Sequence, residues 1–464
     1  MDAGLQAGQH NAALDALTDA PALLARLSAM TDQEAIKPLR AEWRAWLAAS
    51  SDADLGPVLV QRWRRLWAAV ATEWPADARR MLFRLGANVV VPATMTSGTL
   101  SRRASELLAA LAPIADLVET DHAASVDERG AVIHVHVLLG EYTADHHPGR
   151  EVAHYERALA IAEREAARAP EVERYREWLV NVSSRLAHAV KPHDAARARV
   201  LYTRAHELAS ALAASAPGDL RRRHSLAVTL EDLGRLDVRT DPARALALHV
   251  ESVRLQESIV AEAPESARYR VSLLQTCAWL SLHERLEHGT DATGWWQKAL
   301  DQARALQELP GAESEPAVKA AIVLALYAAS RANQESAPQR TAGWLFEALP
   351  LVEGLLGSQP GHPEWEERSR SVCDSLCTLA INDEGDRLGL RSALLAAAPQ
   401  IEQILDRPSR SDRDEAGDRL RKSYGILAAF DRDEAPERAT AWRGRLRQLT
   451  GSSATRTGVA VGVH

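Results

Sequence analysis

The sequence feature that most constrains the fold is a set of markers that recur every 47 residues through the middle of the chain. The dipeptide Ala-Pro begins at Ala169, Ala216 and Ala263. A large ring stands at Tyr155, Tyr202, His249 and Trp296. A leucine followed by a small residue recurs at Leu139, Leu186, Leu233 and Leu280. Three independent markers with one period indicate a tandem array of one structural unit.

Each unit is predicted to contain two helices. The predicted first helices span 172–190, 219–238 and 266–287, and the predicted second helices span 195–215, 242–262 and 292–309. Asp241 before Pro242 is a favourable helix start, because a carboxylate accepts from unpaired amides and proline suits the first helical position. The residues at 193–194 and 290–291 can cap the equivalent helices in the same way. A single pair cannot bury both of its faces, so the pairs must stack. We expect about seven pairs between residues 125 and 450.

The two ends of the chain lack this period. Residues 1–120 are predicted to be an irregular helical region that acts as a cap or docking module, with helices at 12–30, 32–49, 53–72 and 100–119. The segment 89–98 is the least helical part, and 451–464 is predicted to be a disordered tail after a solenoid at 121–450. The tryptophans of the N-terminal region indicate core packing or, alternatively, an interaction surface: Trp43, Trp46, Trp63, Trp67 and Trp74.

The residues at 151–159 are similar to the second helix of a tetratricopeptide repeat, and Leu233-Gly234 resembles the Leu-Gly of its first helix. The resemblance covers 125–310 well and 311–450 loosely. It departs from the family in its period of 47 residues and in the absence of the first-helix tryptophan, where Leu230 stands. The resemblance implies an all-α, right-handed solenoid of stacked antiparallel helix pairs, like the long-helix arrays of bacterial signalling proteins.

By the same resemblance, the first helices line a concave groove that binds a protein or peptide partner. The candidate groove residues are His134, Glu141, Asn181, Ser184, His188, Glu231, Arg235 and Gln275. They form two neighbouring stripes of equivalent positions, one with His134, Asn181 and Gln275 and the other with Glu141, His188 and Arg235, and Ser184 and Glu231 lie between the stripes. Their polar mixture suits hydrogen bonding to an extended peptide, and the alternative is that they are ordinary exposed helix residues.

Enzymatic chemistry has weaker support. A histidine cluster offers metal ligands: His134, His136, Asp145, His146, His147 and His154. Its spacing is poor, because His134 and His136 are two residues apart and point to different sides of a helix. Cys277, Cys373 and Cys377 are predicted to be buried hydrophobes rather than redox or metal groups. No catalytic residue, cofactor or bound metal is assigned.

Composition narrows the class of partner. The net charge is −8 and the pI is near 6.1, which argues against general nucleic-acid binding, because that needs surplus Lys and Arg. The longest apolar stretch, 320–329, is too short to span a bilayer, and we expect no membrane association. Few cysteines and no secretory signal predict a cytoplasmic protein, and abundant Ala and Arg with few Lys favours a GC-rich bacterial genome.

These observations predict a noncatalytic protein- or peptide-binding scaffold, within a bacterial regulatory or defence assembly. The alternatives are a sensor whose superhelix tightens on a peptide or metabolite, and a metal-dependent enzyme that uses the cluster between His134 and His154. The partner's identity and the oligomeric state do not follow from the sequence.

Overall fold

A computed structural model describes most of the chain. The described residues are Leu23, Ala25, 56–95, 102–146, 149–288, 294–358, 363–383, 388–405 and 413–456. The helices predicted at 12–30 and 32–49 therefore fall almost wholly outside the described residues.

The described segments are helical, and no strand occurs within them. The helices of the N-terminal half are α1 (Gly56–Glu73), α2 (Ala76–Met95), α3 (Arg102–Thr120), α4 (Val126–His146), α5 (Glu151–Arg168), α6 (Glu173–Val190), α7 (Ala195–Ser215), α8 (Leu220–Asp237) and α9 (Pro242–Glu262). Those that follow are α10 (Ala267–His288), α11 (Trp295–Glu308), α12 (Pro316–Asn333), α13 (Pro338–Ser358), α14 (Pro363–Asn382), α15 (Leu390–Leu405), α16 (Arg413–Glu434) and α17 (Pro436–Arg456). This confirms the predicted all-α class.

The chain divides into two compact units, 1–255 and 256–464, and the division falls within α9. In the first unit, each helix from α2 to α7 packs against the helix that follows it, and α4 also contacts α6, as α6 contacts α8. In the second unit, α10 packs on both α11 and α12, and α14 packs on both α15 and α16. Contact with the next helix and with the next but one is the packing of stacked antiparallel helix pairs.

The first helices of successive pairs begin at regular intervals. Helices α4, α6, α8 and α10 begin at residues 126, 173, 220 and 267, which are 47 residues apart. The predicted bounds of the helices between 172 and 309 agree with the structure to within three residues. Helices α4 to α17 form seven consecutive pairs in the described part of the chain, the number expected from the sequence.

Aspartates cap the starts of several helices, as the sequence predicts. The Asp194 carboxylate accepts a hydrogen bond from the backbone amide of Arg197 at 2.9 Å, at the start of α7. Asp241 accepts from the amide of Arg244 at 3.1 Å, at the start of α9. Such caps satisfy amides that have no partner within the helix. The predicted cap at 290–291 lies outside the described residues.

The repeat markers contact each other within a pair. A Cβ on Gly140 of α4 would lie 2.8 Å from two ring carbons of Tyr155 on α5, and a Cβ on Gly234 of α8 would lie 2.6 Å from the His249 ring on α9. The Tyr155 hydroxyl also hydrogen bonds with Arg185 of the next pair. The sequence interpretation assigned the small residue to close backbone approach, but the structure shows that it leaves room for the ring.

The N-terminal helices share one buried apolar cluster with α4, α5 and α6. Trp67 and Trp74 lie in this cluster, which confirms core packing for these two tryptophans. The segment 89–98, predicted to be the least helical part and a boundary or loop, is helical over its described part, because α2 continues to Met95. Helix propensity is a weak preference, and here α2 packs against both α3 and α4.

The C-terminal end also differs from expectation, since residues 451–456 of the predicted tail belong to α17.

A buried carboxylate, Asp431, joins the last helices. It accepts hydrogen bonds from Arg391 at 2.9 Å, from Arg438 at 3.2 Å and from the Trp442 indole at 3.0 Å. None of the described helices has the length and apolarity needed to cross a membrane.

Candidate functional site

Helices α4, α6 and α8 carry polar side chains on neighbouring positions of one surface. We call this surface the first-helix face and define it by His134, Glu141, Asn181, Ser184, Arg185, His188, Lys191, Asp232 and Arg235. All of its members lie within the first compact unit. The 47-residue spacing places equivalent positions of consecutive first helices side by side.

Arg185 links two of the predicted groove residues. Its guanidinium forms an ion pair with Glu141 on α4 and donates from Nε to the Asn181 side-chain oxygen at 3.1 Å. Asn181 is exposed, and Glu141 and Arg185 are half-buried. The structure therefore brings Glu141 and Asn181 together through an arginine that was not among the predicted site residues.

His134 lies deeper than a groove residue would. Its ring meets the Trp178 ring edge-on at 5.4 Å, and in the described part of the chain neither of its ring nitrogens forms a hydrogen bond. Burial, with the charges of Arg185 and Arg174, lowers its pKa to about 4. The ring is therefore neutral at physiological pH and packs between α4 and α6.

Glu231 is also buried, and most of its bonding capacity is used inside the protein. Its carboxylate accepts a hydrogen bond from the Ser252 hydroxyl of α9 at 3.4 Å and one from Arg235 at 3.1 Å. Ser252 also donates to the Ala227 carbonyl at 2.9 Å. Glu231 thus anchors Arg235 and joins α8 to α9, rather than presenting a free carboxylate to a partner.

A group of basic side chains lies between α6 and α8. His188 is exposed as a residue, but its imidazole is partly shielded from solvent, and this desolvation, with the charges of Lys191, Arg235 and Arg185, lowers its pKa. The pKa of Lys191 is lowered by burial and by Arg235, against the opposing charge of Asp232. Three cations therefore act on one small region of the face.

Asp232 is the strongest electrostatic outlier on this face. Its pKa is raised to about 7, chiefly by burial and also by the charge of Glu231, against the opposing effects of Arg235, Lys191 and a hydrogen bond with Ser184. Groups with such shifted pKa values concentrate at functional sites, although structural ion-pair networks also produce them.

Sequence reasoning missed Arg185, Lys191 and Asp232. A signal for two of them was present, because Leu138, Arg185, Asp232 and Trp279 occupy equivalent positions of four consecutive first helices. This stripe lies one helical turn from the predicted stripe that contains Asn181, so it shares the same surface. Lys191 follows the last turn of α6, where the pattern gives no signal.

Gln275 belongs to the second compact unit and is exposed on α10. One turn later, Trp279 stacks on His283 with ring centroids 3.7 Å apart. The equivalent position thus carries an aromatic pair here, where the first unit carries charged groups.

The residues considered for enzymatic chemistry are dispersed. Among the described residues, no group of three His, Cys, Asp or Glu side chains is placed to hold a metal ion. His136 faces His154, with ring centroids 6.2 Å apart, whereas His134 faces Trp178; His147 and the side chains of Asp145 and His146 lie outside the described residues. All three cysteines are buried, as predicted.

No family model matches the chain, and no curated protein matches it. Two solved structures similar to the chain are a circular tandem repeat protein with novel repeat topology and enhanced subunit contact surfaces, and the human IFIT1 dimer with m7Gppp-AAAA. Each is 13% identical to this chain. The circular tandem repeat protein has a TM-score of 0.29, and the match covers 97% of this chain and 99% of that chain. The IFIT1 structure has a TM-score of 0.35, and the match covers 94% of this chain and 95% of that chain. Likenesses with TM-scores this low determine neither the fold nor the function of this chain.

Proposed function

We propose that the chain is a noncatalytic scaffold that binds a protein or peptide segment on the first-helix face. The observation that carries this proposal is the row of exposed or half-buried polar groups that α6, the turn after it and α8 place on one surface: Asn181, Arg185, His188, Lys191 and Arg235. Side-chain amides, guanidiniums and amines on a rigid helical surface can bond a partner's carbonyl and carboxylate oxygens.

The finer features of the proposal follow from the repeat pattern. The 47-residue helix pair is the structural unit, similar to a lengthened tetratricopeptide repeat, and the stack is a right-handed solenoid. The protein acts in the cytoplasm of a bacterium, as part of a regulatory or defence assembly. Its role is recruitment, without a cofactor or metal.

Selection of peptides against the immobilised full-length protein tests the proposal. The disrupting variant is Asn181→Trp, which puts a large ring on an exposed position of α6. The matched control is Thr203→Trp, which makes the same change at an exposed position of α7, off the first-helix face. Both positions are exposed, so both variants should fold, and circular dichroism checks this.

We expect peptides selected on the wild type to bind the Thr203→Trp variant equally. The Asn181→Trp variant should bind them at least about tenfold more weakly, a loss of about 1.4 kcal/mol. Equal binding to both variants would contradict recognition by the first-helix face.

A further inference from the structure

The cations of the first-helix face differ in how they are neutralised. Arg185 pairs with Glu141, and Arg235 pairs with Glu231 at 3.1 Å. Lys191 forms no ion pair among the residues that the structure describes, and it interacts with Asp232 only as a more distant charge. One positive group on this face is therefore without a close counter-ion.

Asp232 is a carboxyl group whose charge interacts with both Lys191 and Arg235. It is half-buried on α8, and the positive charges of Arg235 and Lys191 both act on it. Titratable and polar groups surround it on every element packed nearby: Glu231 and Arg235 on α8, Ser184 on α6, Lys191 after α6, the buried Tyr202 on α7, and His249 on α9, which lies against Gly234. Glu231 is already bonded to Arg235 and Ser252, and Glu141 pairs with Arg185, so among the described carboxyl groups of this face Asp232 is the one that can exchange places with an outside anion.

We infer that the first-helix face recognises a peptide segment through a glutamate or aspartate side chain that binds between Lys191, His188 and Arg235, and that Asp232 competes with this incoming carboxylate for the same cations. The inference rests on the proposed function and specifies the chemistry of its partner. Charge complementarity supports it, because the face offers an unpaired amine and an exposed imidazole next to a guanidinium.

The competition makes binding depend on pH. Two carboxylates cannot both ionise at one cation cluster without repulsion, so the ligand binds the form in which Asp232 is protonated. With the Asp232 pKa at about 7, that form predominates below neutrality and is the minor one above it. The apparent affinity scales with the fraction of the competent form, so it should fall about tenfold from pH 6 to pH 8. Gain of charge by His188 at the acid end acts in the same direction.

The test is a titration of the full-length protein with a fluorescent peptide in which glutamate alternates with serine, acetylated and C-terminally amidated. A second peptide has glutamine at each glutamate position, and a third is the glutamine peptide with a free C-terminal carboxylate. A single-stranded RNA oligonucleotide is the fourth probe. Low ionic strength is needed, because salt screens exposed charges.

Three variants accompany the wild type. Asp232→Asn removes the competing charge without changing the shape of the side chain, and Lys191→Gln removes the unpaired amine. Glu207→Gln is the control, because it removes a carboxylate at an exposed position of α7, off the first-helix face. The thermal transition of each variant confirms that it is folded.

The inference predicts that the glutamate peptide binds at least about tenfold more tightly than either glutamine peptide and more weakly as pH rises. Asp232→Asn should bind it about tenfold more tightly than wild type at pH 8 and should remove the pH dependence except for the part due to His188 at the acid end, whereas Lys191→Gln should weaken binding and Glu207→Gln should leave it unchanged.

An unchanged pH profile in Asp232→Asn overturns the competition. Equal binding of the glutamate and amidated glutamine peptides overturns the charge selectivity. The proposed function survives that result if Asn181→Trp still weakens peptide binding at least about tenfold. Preference for the free C-terminus, or for the RNA, overturns recognition of an acidic side chain.

Discussion

Asp232 shows how a single residue on the first-helix face costs the protein stability. The pKa of Asp232 is about 7 in the folded chain and near 3.8 when the chain is unfolded. As pH rises between those values, the unfolded chain loses the proton first, so the folded protein becomes less stable. A shift of that size corresponds to about 4 kcal/mol, and partial solvent exposure reduces the expected effect to about 2 kcal/mol.

The change Asp232→Asn should therefore stabilise the protein above about pH 7 and have little effect near pH 4. Urea unfolding at both pH values measures this. Stabilisation of the same size at both would mean that the ionised carboxylate is not the cause.

His134 predicts the opposite trend with pH. Its folded pKa is about 4 and its unfolded value is near 6.5, so the unfolded chain takes up a proton first as pH falls between these values. Stability should be full above about pH 6.5 and should decline by about 3 kcal/mol by pH 4.

The variant His134→Phe keeps a ring against Trp178 but cannot titrate. Urea unfolding as a function of pH should show a shallower decline for this variant than for the wild type. Parallel declines would assign the acid sensitivity to other groups.

At the scale of the element, the contact between a small residue and a ring sets how closely a first and a second helix pack. Replacing a helical glycine with alanine usually stabilises a helix by about 0.5–1 kcal/mol. At Gly234 the added Cβ would lie 2.6 Å from the His249 ring, which is too close for van der Waals contact. We expect Gly234→Ala to destabilise the chain by about 1–3 kcal/mol, because the buried ring has no free space to enter.

A double-mutant cycle with His249→Ala checks this, because removal of the ring should make Gly234→Ala harmless. Gly343→Ala is the matched control, since a Cβ on Gly343 of α13 meets nothing within 4 Å. Destabilisation by Gly343→Ala of the same size would show that the ring is not responsible.

The helices were predictable from sequence because their signals are local. Proline, aspartate caps and the 47-residue period placed the first helices from α6 to α10 to within a residue or two. The role of Gly140 was not predictable, because a small residue next to leucine fits either close backbone approach or a ring from another helix. The helical course of 89–95 depended on packing with α3 and α4, which a run of valines does not reveal.

The binding face was predictable only in outline. The stripes that contain Asn181, His188 and Arg235 were found, because equivalent positions of the first helices recur every 47 residues. The depth of each residue was not found. His134 shares the stripe of Asn181 and yet packs against Trp178, and Glu231, predicted to lie between the two stripes, is buried against Ser252. Burial and charge shifts depend on side-chain neighbours from several helices, and a pattern along one helix does not contain them.

At the scale of the whole molecule, stability along each unit should accumulate pair by pair. Ion pairs join neighbouring second helices at regular separation: Glu156 with Arg197 at 2.7 Å, and Glu163 with Arg204. These pairs are exposed, so each contributes about 0.2–1 kcal/mol at most, and they favour one register more than they hold the stack together. The buried apolar contacts between pairs provide most of the stability, and they repeat with the same period.

A repeat unit that contacts only its neighbours can be removed whole. Deletion of residues 173–219 takes out α6 and α7, 47 residues in all, and joins α5 to α8 at the point where α6 began. The deletion would place Asp232 opposite Glu141, in the position of Arg185, so the deletion variant should also carry Asp232→Asn. We expect a helical protein that unfolds cooperatively at a lower temperature, because one interface between pairs is lost.

The control deletes 173–194, which removes α6 alone and leaves α7 without its partner. Circular dichroism and thermal unfolding distinguish the two. Aggregation of the control beside a folded whole-pair deletion would support the 47-residue helix pair as the unit of the array, whereas equal loss of structure in both would contradict it.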